Sequence, residues 1–296
     1  MKADILDLQA NKVASVELPE QFNEEIRPDL IRRAFISIQS SFRQSYGAFR
    51  GAGMRQYANL SRRRRDFKAT YGRGISRAPR KIVSRRGSQM VWIGAFAPGT
   101  VGGRRAHPPK SSKIYFKEIN KKENRKAIRS AIAASLNIEL IKSRGHKFIN
   151  APLIIEEKLE TISRSKDLVN ILTKIGLKNE MERLQEKKIR PGRGKTRGRK
   201  YLKKTGPLIV VSKKCALFNA AKNLQGFEIT NVHNLNAYLL APGGSPGRLV
   251  IWSNAAIERL KSENLFILNK KPKENQQKKE RKESENKKSR PVKKES

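Results

Sequence analysis

The sequence predicts an α/β protein: a body with a mainly parallel sheet covered by helices on both faces, a long basic extended loop, and a disordered C-terminal tail. Three observations predict it. From about residue 150 short apolar strands alternate with helical periods, the pattern of a parallel sheet with crossover helices. The positive charge is gathered into segments that carry little apolar periodicity. The last 28 residues hold one aliphatic side chain, Val292.

The body is read in order. Residues 3–8 and 13–18 are short apolar stretches about Gln9-Ala10-Asn11-Lys12, which predicts a hairpin. Pro28 opens a helix on which Leu30, Ile31, Ala34, Phe35, Ile38 and Phe42 recur at helical spacing. A second helix is expected over residues 121–141, with Ile128, Ala131, Ile132, Ser135 and Leu136 on one face and Asn120 with Glu123 in a capping arrangement. Strands follow at 152–155, 207–211, 227–232 and 248–252. Between them lie helices at 165–175, stopped by Gly176, at 214–222, and near 234–239. Ser253 or Asn254 caps a last helix to about Lys261.

The chain carries 66 Lys and Arg against 26 Asp and Glu, a net charge of +40. Self-repulsion at that charge opposes compaction and calls for a polyanion, either nucleic acid or an anionic membrane. No run of about 18 apolar residues exists, so no spanning helix is expected. The start of the chain lacks a basic-then-apolar signal pattern, with Asp4 and Asp7 interrupting it. The single cysteine, Cys215, excludes an intrachain disulfide and fits a reducing, cytosolic compartment. Its ordinary role is a small apolar residue beside a strand.

The charge is segmental. Residues 43–110 hold 17 basic residues against one acid, and residues 187–206 hold 10 basic residues and no acid. Residues 269–296 add 12 basic against 5 acidic, whereas residues 1–42 are net −2. The expected organisation is therefore a body of residues 1–42 and 111–268, an extended RNA-penetrating loop at 43–110, a basic RNA-binding internal loop at 187–206, and a disordered basic tail at 269–296. Of the 17 basic residues in the long loop, 14 are Arg, beside 10 Gly and interleaved Tyr46, Phe49, Tyr57, Phe67, Tyr71, Trp92 and Phe96. Guanidinium groups fork onto phosphates and stack on bases, aromatic rings stack on unpaired bases, and glycine lets backbone approach phosphate. The candidate RNA-binding residues of this loop are Arg50, Arg55, Arg62, Arg63, Arg64, Arg65, Tyr71, Arg73, Arg77, Arg80, Lys81, Arg85, Arg86, Arg104, Arg105, His107 and Lys110. Those of the internal loop are Arg193, Lys195, Arg197, Arg199, Lys200 and Tyr201.

Catalytic motifs fail their spacing tests. Gly194-Lys195-Thr196 resembles the end of a phosphate-binding loop, but Ile189 stands where the leading Gly must be. There is no nucleophile-elbow motif. His107, His146 and His233 are scattered, and one cysteine cannot complete a zinc site. Glu156, Glu157 and Glu160 fit a solvated helix start better than a catalytic pair. No cofactor is expected, and Mg²⁺ only through RNA. An RNA-modifying enzyme and a DNA-compacting protein stay as alternatives; the missing Gly-rich fingerprint weighs against the first and the interleaved aromatics against the second.

Gly102-Gly103-Arg104-Arg105-Ala106-His107-Pro108-Pro109-Lys110 resembles a signature of the large-subunit ribosomal protein L-four family in its archaeal and eukaryotic form. Arg193-Gly194-Lys195 through Arg199-Lys200-Tyr201, followed by Gly206-Pro207-Leu208-Ile209-Val210-Val211, resembles a second, and Tyr71-Gly72-Arg73-Gly74 with Ala78-Pro79-Arg80 resembles the family's loop tip. Tyr71 departs from the Trp common there. The resemblance covers about residues 1–268. It implies a three-layer α/β body on the outside of the large subunit of a cytoplasmic ribosome. It also implies a loop threaded through ribosomal RNA, its tip at about residues 58–78 lining the nascent-peptide exit tunnel. Ser61, Arg62, Arg63, Arg64, Arg65 and Tyr71 are then the tunnel-lining candidates. The implied partners are ribosomal RNA, neighbouring large-subunit proteins and the nascent peptide.

Overall fold

A computed structural model describes residues 1–267 except Asn59, Arg62 and residues 67–69. The expectations for Arg62, for Phe67 and for the 269–296 tail lie outside the described residues. The described chain divides into two compact units: residues 1–40 with 117–267, the body, and residues 41–116, the insert.

In chain order, β1 (Lys2–Leu6) and β2 (Lys12–Glu17) form a hairpin and α1 (Pro28–Ser41) follows. The insert contributes β3 (Arg80–Arg86) and β4 (Gln89–Gly94). The body resumes with α2 (Lys121–Ala134), α3 (Ile138–Ser143), β5 (Leu153–Ile155), α4 (Ser165–Lys174) and α5 (Lys178–Gln185). Short strands β6 (Lys188–Ile189) and β7 (Tyr201–Leu202) bracket the internal basic loop. Then come β8 (Leu208–Val211), α6 (Leu217–Ala221), β9 (Glu228–Asn231), α7 (Ala237–Leu240), β10 (Val250–Ser253) and α8 (Asn254–Ser262).

The body is built on a six-stranded sheet in the order β2-β1-β5-β10-β8-β9. β1 and β2 are antiparallel, and every other pairing is parallel. Successive side chains of a strand point to opposite faces, so a strand apolar at every position has to be covered twice. β8 and β10 are buried throughout. Ile154, Leu208, Val210, Val250 and Trp252 face a core with Phe22, Ile31, Ile132 and Ile257. Leu153, Ile155, Ile209, Val211 and Ile251 face a second core with Ile141, Leu168, Leu172, Leu184 and Leu217. The three-layer architecture follows from these two apolar faces.

The structure revises several local expectations. The helix expected over 121–141 is two: α2 ends at Ala134, and the Asn137 side chain accepts from the backbone N–H groups of Glu139 and Leu140 to cap α3. Asn120 makes no side-chain cap, and Glu123 pairs with Arg33 across 3.2 Å instead. Ser253 does cap α8, accepting from Ala256 N at 3.2 Å. The helix expected at 214–222 shrinks to α6, and α5 was not anticipated. Residues 43–110 are not structureless, because β3 and β4 pair antiparallel from Arg80↔Gly94 to Arg86↔Gln89.

Candidate nucleic-acid interface

The insert has almost no acid to neutralise it: between residues 43 and 115 the sole carboxylate is Asp66. Its arginines turn to rings instead. Arg55 lies 4.2 Å from the Phe49 ring centroid, Arg77 4.5 Å from Tyr71, Arg73 5.8 Å from Trp92 and Arg104 5.7 Å from Phe96. A cation over a ring face is held without losing its charge. These pairs therefore order the arms while the guanidinium edges stay able to donate.

The hairpin β3–β4 carries Arg80, Lys81, Arg85 and Arg86 along one strand. Arg80 donates to Ser76 Oγ at 2.9 Å, and Arg85 to the Gly87 carbonyl at 3.0 Å. Arg50, Arg63, Arg64, Arg65 and Tyr71 are exposed, Ser61 is half-buried, and Ser61 Oγ accepts from Arg63 N at 3.3 Å. Arg105, His107 and Lys110 are brought together around one cavity with Tyr46 and Tyr115. Glycine is required at one point here. Gly53 has φ +74°, and a Cβ there would come within 2.5 Å of Arg104 Cα.

On the body, β6 and β7 hold the second tract in a compact turn. Arg190 N donates to Lys200 O at 2.8 Å, Arg190 Nε donates to Arg199 O at 3.0 Å, and Gly198 closes the turn at φ +78°. Arg193, Lys195, Arg197, Arg199, Lys200 and Tyr201 all remain exposed.

A buried ionic cluster anchors the start of this tract. Glu180, on α5, is fully buried. His146 Nδ1 lies 2.7 Å from its Oε1, Lys147 N donates to Oε2 at 2.9 Å, and Arg183 donates to both oxygens at 2.8 and 2.6 Å. Burial alone would push this carboxyl up; the bonds from Arg183, His146 and Lys147 outweigh it and hold it at about 2. Arg183 also donates to Thr205 O at 2.9 Å, tying α5 to the far end of the basic loop. Near the loop's neck, Lys204 pairs with Glu186. A second buried cation, Arg248, donates to Glu228, Gly206 O and Leu239 O at 2.6–2.8 Å. Nothing in the local sequence at Glu180 or Arg248 marks either as buried: beside the nearby Arg183, Glu180 meets His146 34 positions earlier, and Arg248 meets Gly206, Glu228 and Leu239.

Among the described residues the carboxylates and histidines are engaged in separate contacts. Glu160 is not a solvated helix-start residue: it accepts from Ser212 N, Ser212 Oγ and Ser253 Oγ at 2.5–2.8 Å, joining β8 to β10. His233 pairs with Glu263 at 3.0 Å, away from His146. Burial pushes the Cys215 thiol up, away from a reactive thiolate. Among the described residues no group of three or more His, Cys, Asp or Glu could hold a metal, and no helix is long and apolar enough to cross a membrane.

Two exposed, Gly- and Arg-rich basic tracts on an α/β protein have the surface chemistry to bind a polyanion. The family model described as "Ribosomal protein L4/L1 family" matches residues 16–263. The chain is 47% identical over 269 residues to the large ribosomal subunit protein uL4 of Nanoarchaeum equitans, covering 90% of this chain and all of that protein. It is 43% identical over 263 residues to that of Archaeoglobus fulgidus (88% of this chain, 98% of that one), and 42% over 262 residues to that of Methanoregula boonei (88% and 99%). The chain belongs to the ribosomal protein L4/L1 family. It is thus a structural protein of the large ribosomal subunit and not an enzyme.

Proposed function

We propose that the chain binds large-subunit ribosomal RNA through the insert and the 187–206 loop, and that the insert's tip helps line the nascent-peptide exit tunnel. The observation that carries this reading is the pairing of charge and rings in residues 43–110: 14 Arg and 3 Lys against one acid, with exposed aromatics between them. Arg and Lys of the two tracts neutralise phosphates where RNA strands crowd, and released counterions drive assembly. The residues that carry it are those named above, from Arg50 to Lys110 and from Arg193 to Tyr201. The residues this reading assigns to the tunnel wall are Ser61, Arg62, Arg63, Arg64, Arg65 and Tyr71, and their partner there is the nascent peptide. Neighbouring large-subunit proteins meet the less basic body. No cofactor is needed, and Mg²⁺ enters only as the RNA's counterion.

The test is deletion of residues 43–110 in cells that depend on this protein, followed by sucrose-gradient sedimentation with immunodetection. The expected result is intact body protein with defective large subunits and loss from polysomes. Normal subunits and polysomes carrying the deleted protein would overturn the reading.

A further inference from the structure

At one end of the insert two segments, residues 43–49 and 105–115, run side by side. Ala48 N donates to Pro109 O at 3.0 Å, and Lys113 N to Lys110 O at 3.1 Å closes a turn. Their backbones approach so closely that a Cβ on Gly47 would come within 2.7 Å of Ser111 N. This approach brings Tyr46 and Tyr115 together: their rings are 2° from parallel, with centroids 6.2 Å apart. Arg43 lies 3.9 Å from the Tyr115 centroid. The Tyr46 and Tyr115 rings border an open cavity of about 420 Å³, within the range of small-ligand pockets, roughly 300–1,000 Å³.

The rim carries Arg105, Lys110 and Lys113, with His107 between them. No carboxylate lies within the two segments to satisfy these cations. Tyr46 is 55% exposed, an aromatic ring held in place and left open. An aromatic face rimmed by cations matches one ligand chemistry well: a flat, polarisable base joined to a phosphate.

The geometry points to a binding site for a single unpaired RNA nucleotide, its base stacked on the exposed Tyr46 ring, which Tyr115 backs under Arg43, and its phosphate held by Arg105 and Lys110 with Lys113, whose Nζ lies 5.5 Å from the Tyr115 centroid. This rests on the reading of the insert as an RNA-binding element and adds a base-stacking subsite to it. The two tyrosines confer a preference for single-stranded over paired RNA at this position, because a base within a duplex has no free face to offer.

The full-length protein is tested with a 4-thiouridine-labelled single-stranded oligonucleotide and with a fully paired RNA duplex of equal length. Photo-crosslinked peptides are mapped by mass spectrometry, and affinities are followed against salt. The expected result is a crosslink on the peptide holding Tyr46 or Tyr115. In the Tyr46→Ala/Tyr115→Ala variant that crosslink is lost and single-strand affinity falls about tenfold, from the loss of one stacked base. The salt slope and duplex affinity are unchanged. The Tyr46→Phe/Tyr115→Phe variant, which keeps both rings, retains the crosslink. RNA binding with no crosslink at either tyrosine, or equal losses on single strand and duplex, overturns the stacking site and leaves the broader RNA-binding reading standing. No binding of either RNA by the wild-type chain overturns both. Tyrosine-dependent displacement of the oligonucleotide by poly-glutamate at equal charge would assign the pocket to an acidic peptide and overturn the nucleotide.

Discussion

Glu180→Gln is the perturbation with the largest expected effect on the body for the smallest change in shape. The Glu180 carboxylate is held at about 2 against an ordinary value of 4.5, a difference worth about 3 kcal/mol of folding free energy near neutral pH. The sign is that of a carboxyl with a depressed folded-state value: its contribution is complete above the unfolded value and is lost as pH falls toward the folded one. By linkage, that stabilisation is present in full at pH 7, begins to fall as the solution is acidified through about 4.5, and is lost as pH approaches about 2. Glutamine keeps the volume but does not ionise, and it leaves Arg183 facing a neutral partner. The assay is urea unfolding of wild type and variant, followed by circular dichroism and by the fluorescence of Trp252 in a Trp92→Phe background, at several pH values at fixed ionic strength. The free-energy gap between the two should be widest at neutral pH and should close as the solution is acidified below about 4.5. A gap below about 1 kcal/mol at pH 7, or one that stays constant down to pH 3, would refute the argument that the ionised carboxylate organises this cluster.

Three further sites give outcomes of the same kind. Trp252→Ala should cost about 3–5 kcal/mol in urea unfolding, because the indole sits at the centre of the sheet against Phe22 with ring centroids 5.2 Å apart. Trp252→Phe should cost less than Trp252→Ala, because it leaves a smaller cavity and the indole N–H has no hydrogen-bond partner among the described residues to lose. Gly53→Ala forces a Cβ within 2.5 Å of Arg104 Cα at φ +74°; limited proteolysis should show cleavage within the insert about tenfold faster, with body fragments unchanged. Replacing Arg193, Arg197 and Arg199 together with Gln should weaken binding to structured RNA and lower the log–log salt slope by about 0.9 for each phosphate no longer neutralised, measured by filter binding from low to high salt.

The sequence by itself determined the class of fold and the separation of charge from core. Runs such as Leu208–Val211 and Val250–Trp252, apolar at successive positions, declare a sheet covered twice wherever they are placed. Local rules also held where one residue decides a boundary, as with Pro28, Gly176 and Ser253, because a cap or a left-handed residue acts within a few positions. Composition separated the Arg-rich tracts, since an excess of like charge cannot be folded into an apolar core. The motifs led to the family.

Only the tertiary structure decided which polar groups are buried and which rings meet. Glu180 lies on α5, a helix the residue pattern did not announce, and His146, 34 positions earlier, meets its carboxylate in the interior. Arg248 reads as the start of a strand, yet it is buried because Gly206 and Leu239 offer carbonyls from other elements. The split between α2 and α3 turned on whether Asn137 would cap or continue, a contest of small energies that packing settles. Tyr115 lies outside the stretch that composition delimits, and it joins Tyr46 only because Gly47 allows residues 43–49 to lie against residues 105–115. Such contacts depend on the three-dimensional path between distant segments, and no local pattern of residue types encodes that path.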